Sequence, residues 1–138
     1  MSGRILKAAF FAATLLGASQ AWAADYQRER EWAVEIKANL SAGDPIDFTL
    51  KQTPYPFLGI FAPADSDRAV ILVHDLGLHP DSGLIRELRV ALHEHGYTTL
   101  ALQMPLLAAD ADPHLYRDEI PEGASRISRG ASFLENQG

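Results

Sequence analysis

The chain has no cysteine. A fold with no disulfide to staple it must be held by a packed apolar core. Basic residues are also in deficit, with 12 Lys and Arg against 18 Asp and Glu and a formal net charge of −6. That argues against nucleic acid and anionic membrane surfaces as partners, because both are bound through basic patches. Beyond the first two dozen residues no apolar run approaches the roughly 20 residues that a bilayer-spanning helix needs. Repeats, low-complexity tracts and domain linkers are absent as well.

What is present begins with residues 1–23. Arg4 and Lys7 form a positive n-region, Ala8 to Ala18 an apolar run of h-region length, and Ala21-Trp22-Ala23 a small-x-small cleavage site. This pattern predicts a signal peptide cleaved between Ala23 and Ala24. The product is then periplasmic or secreted and has no membrane association after cleavage. The remaining 115 residues keep ten of the twelve basic residues and all eighteen acidic ones, a charge of −8. They suffice for one domain, 24–138.

Asp25 to Leu40 has helical periodicity, with Tyr26, Ala33, Ile36 and Leu40 on one face and charge on the other. Ile46 to Leu50 and Phe57 to Phe61 predict an antiparallel hairpin around Pro54 and Pro56. Ala69 to Val73 (Ala-Val-Ile-Leu-Val) is uniformly apolar, the pattern of a strand buried on both faces. Next comes the polar turn His74-Asp75-Leu76-Gly77-Leu78-His79-Pro80-Asp81. A helix follows, capped by Asp81 or Ser82, striped by Leu84, Ile85, Leu88, Ala91 and Leu92, and stopped at Gly96. Tyr97 to Leu102 is a further buried strand, so residues 69–102 have the size of one parallel strand–helix–strand crossover. An Asp- and Pro-rich loop, Gln103 to Ile120, leads to a last helix opened by Pro121. Ala124, Ile127, Ala131 and Leu134 share one face of it, and Gly123 and Gly130 weaken it.

A buried strand running into His-Asp-Leu-Gly resembles the oxyanion loop of α/β-hydrolases. Together with Gly-Tyr-Thr-Thr-Leu-Ala-Leu-Gln-Met-Pro (96–105), the segment is similar to a family of exported bacterial α/β-hydrolase-like proteins of unassigned activity. The resemblance implies an α/β fold, a partial hydrolase-type mixed sheet in which an antiparallel hairpin precedes parallel strands with crossover helices. It implies that backbone donors of Asp75, Leu76 and Gly77 shape an oxyanion hole, with His74, His79 and Asp81 as further loop candidates. Asp75 stands where the superfamily usually has Gly. In the usual strand order the next strand pairs with Ala69–Val73, which places that strand at the edge of the sheet formed by this chain.

The nucleophile of that superfamily sits in G-x-S-x-G after a strand. Neither Gly123-Ala124-Ser125-Arg126-Ile127 nor Gly130-Ala131-Ser132-Phe133-Leu134 has the second Gly, and both fall in the last helix. The chain is therefore expected to be truncated before the nucleophile elbow, without a complete catalytic set and inactive alone. No cofactor is implied. A rival reading takes His74, Asp75, His79 and Asp81 as ligands of a metal ion, and the plainest has His74 bonding the loop backbone while Asp81 caps the helix. For His93 and His95 a helix-terminal role suffices, for Asp110 and Asp112 a solvated loop. The leading expectation is the N-terminal portion of an exported serine-type hydrolase acting on an ester or acyl substrate. The alternatives are a non-catalytic envelope protein that binds a ligand or partner, and an exported metal-binding domain.

Overall fold

A computed structural model describes residues 24–137. The expected signal segment lies outside the described residues. In chain order the elements are α1 (Tyr26–Asn39), β1 (Asp44–Phe48), β2 (Phe57–Ala62), β3 (Ala69–Val73), α2 (Gly83–Glu94), β4 (Thr98–Leu102) and α3 (Ile120–Glu135), with a 3-10 segment, Pro113–Glu119, ahead of α3. The four strands form one mixed sheet in the order β1-β2-β4-β3. β1 pairs antiparallel with β2, and β2 antiparallel with β4. β3 and β4 are parallel, in the register Ala69↔Thr98 to Val73↔Leu102. The hairpin and the parallel crossover are thus both present. The first strand starts two residues earlier than its alternation suggested, and Pro45 is tolerated because β1 is an edge strand.

Alternation along the strands separates two cores. Leu58, Ile60, Leu72 and Ala101 face Ile36 of α1, with Ile85 and Leu92 of α2 packed against them. Phe48, Phe57, Leu100 and Leu102 face the other way, against Phe133 and Leu134 of α3. The result is helix, sheet, helix. Each fully buried Leu or Phe contributes roughly 1.5–3 kcal/mol by leaving water. Phe48 stacks on Phe57 and meets Phe133 edge-on, with ring centroids 5.5 and 5.3 Å apart.

Four expectations change here. β4 is buried throughout, whereas β3, the more apolar strand, is half-exposed, because β4 takes the central position and β3 the edge. The α2 stripe is only half inward: Ile85 and Leu92 pack, Leu84 and Leu88 stay exposed, and the residue that α2 buries is Arg89. On α3 the buried positions are Arg126 and Gly130, while Ala124 and Ile127 face outward. Gly130 lets α3 approach β4, since a Cβ there would stand 2.7 Å from Leu102 Cδ1 and 3.2 Å from Leu100 Cδ2. Finally, the face of α1 read as apolar also buries a carboxylate, Glu29, which lies between Tyr26 and Ala33 along it.

Candidate functional site

The parallel strands β3 and β4 deliver two loops to one end of the sheet. In open α/β sheets ligands bind outside the carboxyl ends of such strands. A groove of about 300 Å³ lies here, floored by Val73, Met104 and Pro105 and walled by Leu76 and the outward face of α3, chiefly Ala124 and Ile127. His74, Asp75, Tyr116 and Glu119 also line it.

His74 is buried at the head of the first loop. Its Nδ1 lies 2.8 Å from the Asp75 carbonyl, and its Nε2 accepts the Met104 backbone N–H at 2.9 Å, with Gln103 Nε2 3.1 Å away. The proton therefore sits on Nδ1, donated to the Asp75 carbonyl, and Nε2 is an acceptor. Burial is the main reason that the ring pKa falls to about 4, with the Asp75 carbonyl opposing. A neutral ring with both nitrogens committed is a brace between the loops after β3 and β4. Gln103, also buried, extends the brace by donating to the Met104 carbonyl at 2.7 Å. Sequence reasoning passed over Gln103, since a lone Gln after a strand carries no periodic signal.

This brace shapes the turn that follows. Gly77 has φ +72°, a backbone state that a side chain rarely adopts. The Leu78 N–H donates to the Asp75 carbonyl at 3.2 Å. Among the described residues, no acceptor stands on the N–H groups of Asp75, Leu76 or Gly77. Asp75 and Leu76 are exposed at the groove mouth. The three positions named for an oxyanion loop thus form one turn, of which Asp75 and Leu76 line the groove while Gly77 lines a neighbouring hollow with Arg28, Ala108 and Tyr116. No hydroxyl of Ser or Thr lines the groove.

His79 and Asp81 are turned elsewhere. The His79 ring packs edge-on against Trp32 at 4.9 Å. Asp81 is 6 % exposed and accepts from Arg89 at 2.7 Å and Arg86 at 3.0 Å. Of the two expected caps Ser82 holds the N-cap position of α2, but its hydroxyl donates to the His79 carbonyl and makes no side-chain cap bond. Among the described residues, no three His, Asp or Glu side chains converge as a metal centre. The grouping of His74, Asp75, His79 and Asp81 in eight residues of sequence does not survive the turn, because their side chains diverge. His95 Nδ1 meets the Ala91 carbonyl, and Asp112 caps the 3-10 segment by accepting from His114 N–H.

A second buried network holds the far wall of the groove. Arg126, 1 % exposed, donates to Glu29 Oε2 at 2.9 Å and to the Gln103 carbonyl at 3.0 Å, and it pairs with Glu122. Glu29 also accepts the Leu106 backbone N–H at 3.0 Å, and the Tyr26 hydroxyl donates to Glu122 at 2.7 Å. Burial pushes the Glu29 carboxyl upward and Arg126 opposes it. The network ties α1, the loop after β4 and α3 together. Glu122 and Arg126 are an i,i+4 pair on α3, but no sequence pattern announced the link to Glu29, which lies 97 residues from Arg126.

Comparison with protein-family models, with curated proteins and with solved structures finds no match to the chain.

Proposed function

We propose that this chain builds the acyl-binding side of an exported hydrolase-type site, with the turn Asp75-Leu76-Gly77 as its oxyanion loop and the adjoining groove as the seat of an ester or acyl group. The observation that carries this reading is the pair of unspent backbone N–H groups on Asp75 and Leu76, the two residues of that turn that line an apolar groove. Donors held in place before reaction stabilise a developing oxyanion by several kcal/mol, up to about 4 in measured cases. The strand order supports it as well, since β3 lies at the sheet edge where the resemblance puts the next strand. In this reading His74 positions the loop and takes no proton in catalysis. Export with maturation at Ala23/Ala24 belongs to the same proposal. So does a nucleophile supplied from outside residues 24–137, because among the described residues no Ser or Thr lines the groove.

That same lack of a Ser or Thr hydroxyl favours a second reading, a non-catalytic envelope protein that holds an apolar ligand in this groove. Both readings share the groove, and residue-resolved amide shifts on titration with methyl hexanoate test it. The expected result is saturable shifts of Leu76, Gly77 and Ile127. Shifts confined to the separate hollow of about 380 Å³ between Gly43, Ala62 and His93 would overturn the assignment. Ester turnover separates the two readings: p-nitrophenyl hexanoate hydrolysed by the full gene product favours the hydrolase, and binding without turnover favours the carrier.

A further inference from the structure

The groove carries charge of only one sign. Its ionisable lining groups are His74, Asp75, Tyr116 and Glu119. His74 is neutral and its nitrogens are spent within the protein. The Tyr116 hydroxyl accepts the Leu107 backbone N–H at 3.1 Å, so it is already tied to the loop after β4. Two carboxyls remain, Asp75 from the β3 loop and Glu119 from the end of the 3-10 segment.

Among the described residues, neither forms an ion pair. Arg126, which faces Glu119 from α3, is buried and committed to Glu29 and Glu122. Arg117 is 80 % exposed and lies 3.6 Å from Asp118. Partial burial, then the neighbouring Glu122, pushes the Glu119 carboxyl upward, so a cation placed beside it would relieve a group that the fold disfavours.

Resting on the groove reading above, we infer that the site takes a ligand with an apolar body and a cationic group, such as an alkyl amine or an amino ester, and rejects free carboxylates. The apolar part lies along Val73, Met104 and Ile127, and the cation meets Glu119 and Asp75 at the mouth. An anionic amphiphile would bring a third negative charge to the same mouth, where among the described residues no Lys or Arg lines the groove to receive it. The chain's overall charge of −6 acts in the same direction at long range.

Three six-carbon probes of the same length test this: hexylammonium, hexanol and hexanoate, each titrated against the matured chain at low salt and followed at the Leu76, Gly77 and Ile127 amides. Hexylammonium is expected to bind about tenfold more tightly than hexanoate, with hexanol between them, and the gap to narrow in salt. In Glu119→Gln the preference for hexylammonium is expected to fall about threefold while hexanol affinity holds. Asp75→Asn, at an exposed position, is expected to act in the same direction. If hexanoate binds as tightly as hexylammonium at these amides, or both variants keep the full preference, the inference is overturned and the groove reading stands. If no probe moves these amides, the groove reading fails and the inference with it.

Discussion

His74 and Arg126 show how single buried polar groups set the geometry of this end of the sheet. The ring pKa of about 4, against an ordinary 6.5, means that the unfolded chain binds a proton more readily than the folded one between those values. The contribution of His74 is therefore complete above pH 6.5 and lost as pH falls toward 4. At about 1.4 kcal/mol per pH unit it amounts to about 3 kcal/mol. His74→Gln can still accept the Met104 N–H but does not titrate. Urea unfolding between pH 4 and 7.5 should show a steep fall in wild-type stability over that window and a shallower one in the variant. Arg126→Met should cost about 3–5 kcal/mol, because Glu29 and Glu122 would stay buried without their cation. Adding Glu29→Met should recover part of the loss, which chemical denaturation of the single and double variants measures. The sequence already suggested that His74 bonds the loop backbone, as it does, but Arg126 stood inside a stretch read as an apolar helix stripe.

The strands read more truly than the helices. Apolar runs and turn residues located the hairpin, β3 and β4, since period-2 alternation and uniform burial are local patterns. Helix faces were harder. Leu84, Leu88 and Ile127 have the right spacing for a core and remain exposed, because each helix packs through the few positions that clear the sheet: Ile85 and Leu92 on α2, Gly130 and Phe133 on α3. The relative burial of β3 and β4 depends on strand order, which one strand's composition does not encode. Hydrogen exchange should follow that order. Amides of Thr98–Leu102, bonded on both sides, should exchange most slowly, and alternate amides of Ala69–Val73 should exchange faster, because the outer side of this strand pairs with no other strand among those described. Uniform protection of both strands would contradict the edge assignment.

At the scale of the whole molecule, two loops from adjacent parallel strands, braced by His74 and Gln103, meet a helix anchored by Arg126, and the groove between them has an apolar floor, free N–H donors on one side and carboxyls at its mouth. The sequence located the turn that supplies the donors. It did not locate the groove, whose opposite wall comes from Ala124 and Ile127 some fifty residues later. The most direct measurement is the affinity of methyl hexanoate for the wild type and for Ala124→Trp, side by side with their thermal midpoints. Ala124 is exposed on α3 and lines the groove, so an indole there should fill the groove without entering the core. If the groove is the acyl site, binding falls at least tenfold, about 1.4 kcal/mol, with the midpoint unchanged. Unchanged affinity in a folded Ala124→Trp protein would contradict the account.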